Sequence, residues 1–311
     1  MTTDLQSTQP KTVDPYGKAT PDLSTPRSRS IAGNLVRQRI RSVVKHLALI
    51  GLSLIMIYPL IWLLISSMKP NEQIFTDLSI FTTDLSLENY AHGWNAQLFP
   101  FHVYLINSSI LVLGAIIGNL ISCSMAAYAF ARLDFRFRTL TFALMLGTIL
   151  LPFHVVLVPQ FILFRELGWL DTFLPLVVPK FLATEAFFIF LMVQFIRSLP
   201  NELYEAARID GAGHFRQFVQ ITLPLMIPAL ATTTIFTFIW TWADFFGPLL
   251  YLRSPENYTV SQALTGFIDA QSTSNYGAMF AMSVVSLIPL FIAFLIGQKF
   301  LVKGFAKSGI K

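Results

Sequence analysis

The chain has 311 residues, 54% of them hydrophobic and only 13% charged. Soluble domains carry about 25% charged residues, so a water-soluble globule is excluded. One cysteine, Cys123, excludes an internal disulfide and a cysteine metal cluster, and the net charge of +5 raises a nucleic-acid partner only until its distribution is read.

In chain order, residues 1–40 read as a disordered basic cytoplasmic tail, with Thr, Ser, Pro, Gln and Asp prominent over 1–30. They are not a signal peptide, because the apolar segment that follows starts too late and is too long. Residues 31–46 fit a basic amphipathic helix on the membrane surface, or a plain positive anchor. From 41 to 311 the sequence predicts an all-α membrane domain. Apolar runs long enough to cross a bilayer fall at about 47–67, 105–130, 139–163, 172–196, 223–247 and 277–299. The first, third and fifth hold prolines (Pro59; Pro152 and Pro159; Pro224 and Pro228), which a membrane bundle tolerates. Gly114 and Gly118 form a G-x-x-x-G expected to pack helices, and Cys123 is expected to pack beside them.

Orientation follows from Lys and Arg, which stay on the cytoplasmic side. They crowd the tail (Lys11 through Lys45), the loop with Arg132, Arg136 and Arg138, the loop with Arg197, Arg208 and Arg216, and the C-terminal end (Lys299 through Lys311). The alternate loops hold only Lys69, Arg165 and Arg253, and Lys180 lies within a span. Both termini are therefore expected in the cytoplasm. The charge is a topology signal rather than a nucleic-acid footprint.

The loop at 197–223 carries the most information. Pro200 suits a first helical position, and Glu202 and Glu205 suit the positive end of a helix dipole. Leu203, Ala206, Ala207 and Asp210 share a face thin enough to enter a groove. Gly211 and Gly213 permit a turn. A second short helix over about 214–221 leads to Pro224.

Here the sequence resembles the permeases of binding-protein-dependent ABC importers. The family pattern of EAA, three residues, Gly, nine residues and I-x-L-P is met by Glu205-Ala206-Ala207, Gly211, Ile221, Leu223 and Pro224. Other segments resemble the carbohydrate branch, in the manner of the smaller maltose-type subunit. They are Met68-Lys69-Pro70 through Phe75, Glu88-Asn89-Tyr90, Asn107-Ser108, Ala127 through Arg132, Leu151-Pro152 with Pro159, and Trp242-Ala243-Asp244-Phe245 with Pro248-Leu249. His154 replaces the Gln of many relatives, and Ala243 the common Asn.

The resemblance implies a six-helix type I importer permease, placed in the cell inner membrane. Its coupling helix would sit in a cleft of an ATPase subunit, with Glu205 and Arg208 as polar anchors, the small Ala206, Ala207 and Gly211 giving close fit, and Asp210 also at the coupling site. It also implies two ATPases that bind the ATP and Mg, an extracytoplasmic sugar-binding protein, and a second, unlike permease chain. This chain would be non-catalytic, since it has no G-x-x-x-x-G-K-[ST] pattern and cannot be its own ATPase, and no cofactor or metal is expected in it. Trp240, Trp242, Asp244, Phe245, Thr237 and His154 are the candidate substrate path, with Glu185 a further ionisable group at membrane depth. Against this stand the interfacial aromatic belt and helix packing. A permease for a polyamine, phosphate or amino acid is the alternative. An ion-coupled transporter leaves the EAA loop unexplained, and no repeat between 47–163 and 172–299 supports it.

Overall fold

The computed structural model describes residues 27–79, 85–268 and 275–308. Residues 1–26 of the tail, and 269–274 of the segment before the last span, lie outside the described residues. The chain divides into two units, Met1–Leu60 and Ile61–Lys311.

The first unit holds most of α1 (Arg27–Ser66). Residues 27–40 are thus helical, as the amphipathic reading of 31–46 allows and the disordered-tail reading of 1–40 does not. An apolar span supplies the nucleus, and each residue added to a formed helix gains one hydrogen bond without repaying nucleation. Arg37–Ser66 is long and apolar enough to cross a membrane.

In the second unit the chain first wraps a buried cation. Lys69 is 1% exposed and donates to the Asp77 and Ser79 carbonyls at 2.7 Å each, with the Asp77 carboxylate 3.6 Å away. Such partners are what a buried charge requires. Bonds from Ser79, then the charge of Lys69, hold the Asp77 carboxyl below its ordinary range.

After α2 (Glu88–Asn95), the long α3 (Phe101–Arg132) forms the centre of the bundle. Gly118 on α3 lets the chain at Lys180 come close: a Cβ there would lie 2.8 Å from the Phe181 ring and 3.0 Å from the Lys180 backbone. Gly114 does the same for Val177 at 2.8 Å. The G-x-x-x-G therefore packs α3 onto the fourth span.

The third expected span, 139–163, is not one helix. It divides into α4 (Arg138–Thr148) and α5 (Phe153–Glu166). Pro152 lacks an N–H, bars the helical conformation to Leu151, and itself sits at ψ 132°. The fourth span is also interrupted. It runs as α6 (Leu174–Val177), a 3-10 turn over Val178–Leu182 and α7 (Ala186–Arg197). Ala183 adopts a left-handed φ of 54°. The carbonyls freed by the break find neighbours, as membrane depth demands: Ser122 donates to the Lys180 carbonyl at 2.7 Å, and Thr184 to that of Pro179 at 2.9 Å. Lys180 and Glu185 pair across the turn.

Beyond α7 come α8 (Glu202–Ile209), α9 (His214–Gln217), a π turn over Phe218–Thr222, α10 (Leu223–Leu225) and α11 (Ile227–Ala243). The axis bends by 74° between His214–Leu225 and Ile227–Ala243, where Pro224 and Pro228 interrupt the hydrogen-bond ladder. The chain ends through α12 (Phe246–Tyr251), α13 (Val260–Thr265) and α14 (Tyr276–Ser308). Among the described residues there is no strand. Four helices are long and apolar enough to cross a membrane, or up to five if the bent pair is one span. The six expected spans differ from that number through the division at Pro152.

Two buried clusters hold the second unit. One joins α3, α7 and the 204–226 region through Cys123, Tyr128, Met192, Ile196, Tyr204, Phe218 and Met226. The other joins α3, α11, α13 and α14 through Phe101, Tyr104, Trp242, Val260 and Met282. At this second end Asp171 clamps the segment after α12. Its carboxylate accepts the N–H groups of Arg253 and Ser254 at 2.9 Å each and the Ser254 hydroxyl. Asn107 on α3 donates to the carbonyls of Glu256 and Tyr258, and Ser108 accepts from Val260 N–H.

Candidate functional site

The segment between α7 and α11 folds back as a stiff hairpin. Glu202 and Glu205 occupy the first turn of α8 and Arg208 its last, which suits the helix dipole at both ends. The helix starts at Glu202 rather than at Pro200. Asn201 precedes it with a carbonyl that accepts from Tyr204 and Glu205 N–H, while its side chain is taken by Arg132.

At the far end Gly211 has φ +78°, the left-handed conformation that glycine adopts without penalty. The Ala212 N–H reaches the Ala207 carbonyl at 2.8 Å and the Gly211 N–H that of Arg208 at 3.1 Å. This Schellman pair closes the helix. Gly213 sits at φ −68°, so only Gly211 of the two glycines is required by the turn.

Three further residues, absent from the sequence-based site, lock the hairpin. Tyr204 is 5% exposed and shares a hydrogen bond with the buried Thr222 hydroxyl at 3.0 Å. Gln217, also buried, donates to the Ala212 carbonyl at 2.8 Å. The first bond ties α8 to the π turn and the second ties α9 to the tip. Tyr204 turns inward and leaves Leu203, Ala206 and Asp210 exposed, with Ala207 half-buried. The expected face is therefore largely free. Ile209 and Phe215, either side of the tip, are 87% and 76% exposed.

Arg132, the last residue of α3, meets the base of this hairpin. Its guanidinium lies 4.0 Å above the Tyr204 ring. It donates to the carbonyls of Ile196 and Leu199 at 2.7 and 2.8 Å and to the Asn201 side chain. A half-open groove of about 220 Å³ lies here, lined by Arg132, Arg138, Asn201, Tyr204, Glu205 and Arg208 among others.

The candidate substrate-path residues do not form one cluster. Trp240 is half exposed, its ring 5.2 Å from Phe188 in a stacked pair and 5.6 Å from both Phe187 and Phe236. Trp242, two positions on and so facing away, is 6% exposed; it stacks on Phe238 and donates its N–H to the Ser286 carbonyl at 3.0 Å. Thr237 is buried and accepts from Asn119 at 3.1 Å. Asp244 accepts the Gly247 N–H at 3.1 Å, capping the first turn of α12. Phe245 is exposed next to it. His154 meets the edge of Phe246, ring centroids 6.2 Å apart.

Residues 118–307 match the family described as binding-protein-dependent transport system inner membrane component. The chain is 32% identical over 260 residues to the diacetylchitobiose uptake system permease protein NgcG of Streptomyces coelicolor, covering 83% of this chain and 85% of that protein. It is 31% identical over 263 residues to the arabinooligosaccharides transport system permease protein AraQ of Bacillus subtilis, covering 84% and 92%. Among solved structures, a chain from the crystal structure of a bacterial ABC transporter involved in the import of the acidic polysaccharide alginate shares the fold. The TM-score is 0.75 at 24% identity, over 85% of this chain and 97% of that one. With its apolar helices and EAA hairpin, the chain belongs to the inner membrane components of binding-protein-dependent transport systems, and is a multi-pass permease subunit of an ABC importer.

Proposed function

We propose that this permease carries a sugar, received from an extracytoplasmic sugar-binding protein, and that two partner ATPases drive it through the 197–223 hairpin. A second, unlike permease chain supplies the other half of the path. ATP and Mg are bound by the ATPases and not by this chain. Both termini face the cytoplasm, a reading supported by the Lys and Arg of the tail, of two loops and of the C-terminal end.

The observation that carries the coupling role is the hairpin itself. It is internally bonded, so it moves as a body, yet it presents Leu203, Ile209 and Phe215 outward. Large apolar residues gathered on an aqueous loop mark an interaction site. Ala206 and Ala207 keep the helix thin there, Gly211 and Asp210 shape its end, and Glu205 and Arg208 are its polar anchors. ATP-driven closure of the ATPases would carry both hairpins and shift the bundle between two access states.

The sugar is supported by the uptake named for NgcG and AraQ. Trp240 and Phe187 offer half-exposed aromatic faces beside the broken fourth span, and Phe245 and His154 continue the path. Thr237 and Trp242 frame it by fixing α11, and Asp244 by capping the start of α12. The test is ATP hydrolysis by the reconstituted complex. It is expected to rise when binding protein loaded with a sugar is added. Hydrolysis indifferent to loaded binding protein would contradict the coupling. A binding protein stabilised in thermal shift by a polyamine, phosphate or amino acid, and by no sugar, would contradict the substrate.

A further inference from the structure

The chain joins the hairpin directly to α7 and, through α10, to α11. It does not join it to α3, although α3 is the helix around which both of the others pack. Apolar packing of Tyr128 on Phe218 brings the two together, and Arg132 adds the polar link. One guanidinium holds the Ile196 carbonyl in the last turn of α7, the Leu199 carbonyl just beyond it, the residue that opens α8, and the face of Tyr204. Tyr204 in turn is bonded to Thr222 in the π turn that leads to α11. The planar fork of arginine suits this task, because it donates in its plane and stacks through its face at once. Its Nε is buried with no partner among the described residues. A joint built only to cap α7 has no need of Tyr204 or Asn201.

We infer that Arg132 is a positioning residue of transport: it makes α3 move with the hairpin, so that displacement at the ATPase reaches the central helix of the bundle. This rests on the docking of the hairpin proposed above.

The test uses the complete complex in lipid, with Arg132→Gln, Arg132→Lys and Asn201→Ala. Loss of charge-assisted hydrogen bonds that work in the moving state is expected to lower sugar uptake about tenfold in R132Q. R132K keeps donors for the carbonyls but loses the flat face against Tyr204, and is expected to fall between R132Q and the parent. Spin labels at Met125 on α3 and Gln220 on the hairpin separate a moving joint from a static cap. Their distance is expected to stay constant through the ATP cycle in the parent and to change with nucleotide in R132Q. Parent-like uptake in R132Q, or a constant distance in it, overturns the inference.

Should R132Q fail to assemble, N201A removes only an exposed partner of the same guanidinium, and parent-like uptake in N201A overturns the inference equally. A parent complex in which no ATPase co-purifies defeats the docking reading itself, a result distinct from both.

Discussion

Asp171 stands at φ 60°, a left-handed position that Asp and Asn tolerate better than most residues. The hydroxyl of Ser254 and its N–H, followed by the N–H of Arg253 and the amide of Asn257, hold the Asp171 carboxyl well below its ordinary range. A folded value lowered in this way stabilises the clamp at any pH above the ordinary carboxylate value, and the clamp is lost only as pH falls through the folded value. Proteolysis within 252–268 is therefore expected to be equally slow at pH 7 and pH 5. Asp171→Asn keeps the backbone preference but removes the charge. It should cost about 2 kcal/mol and speed cleavage at both pH values. Cleavage in the parent that accelerates between pH 7 and pH 5 would contradict this.

Gly211 and Gly213 make a second comparison at the same scale. A Cβ at either would meet nothing within 4 Å, so only backbone conformation separates them. Gly211→Ala forces an L residue into the left-handed region at about 1–2 kcal/mol, and uptake is expected to fall about tenfold. Gly213→Ser places a favoured cap before α9 and should leave uptake at the parent level. Equal effects would mean that the turn does not depend on the left-handed residue. The need for a glycine turn is legible in the sequence, but which glycine bears it is not, because φ has no signature in composition. Tyr204 is missed for another reason. Its partner Thr222 is 18 positions away, beyond the reach of any helical pattern.

At the scale of elements, long apolar helices are plain from hydropathy, and α3 and α14 fall close to where they are expected. The interrupted spans are not plain, because hydropathy does not distinguish a continuous helix from two halves joined by a turn. The break after Val177 falls at Pro179, which local sequence does mark, and is held by the local Lys180–Glu185 pair and by Ser122 from α3, a partner no local reading supplies. The sequence also shows the G-x-x-x-G that receives this break. In lipid, where apolar burial no longer drives association, close approach at small residues carries the packing. Gly118→Ile should push Phe181 and the Lys180 backbone away and cost about 1–3 kcal/mol, read as a lower unfolding temperature in detergent. Gly147, with nothing within 4 Å of a Cβ, is the control, and Gly147→Ala should not lower that temperature. Equal behaviour of the two would contradict the packing. The expected substrate path separates at this scale too. Trp240 and Trp242 are read as one aromatic patch, but two steps along a helix send them to opposite faces, one to the bundle flank and one to the buried contact with α14.

For the whole molecule, the EAA spacing identifies the hairpin, and the fold places it where α3, α7 and α11 converge. The covalent path and the Arg132 link together let one rigid hairpin act on all three helices. The most direct measurement is crosslinking from Ala206→Cys in native membranes with a short bifunctional reagent. An ATP-binding protein is expected as the main product, with protection when the complex is dissociated from its ATPase. Crosslinks that find lipid or other proteins, and never an ATP-binding subunit, would contradict the coupling of this hairpin to ATP hydrolysis.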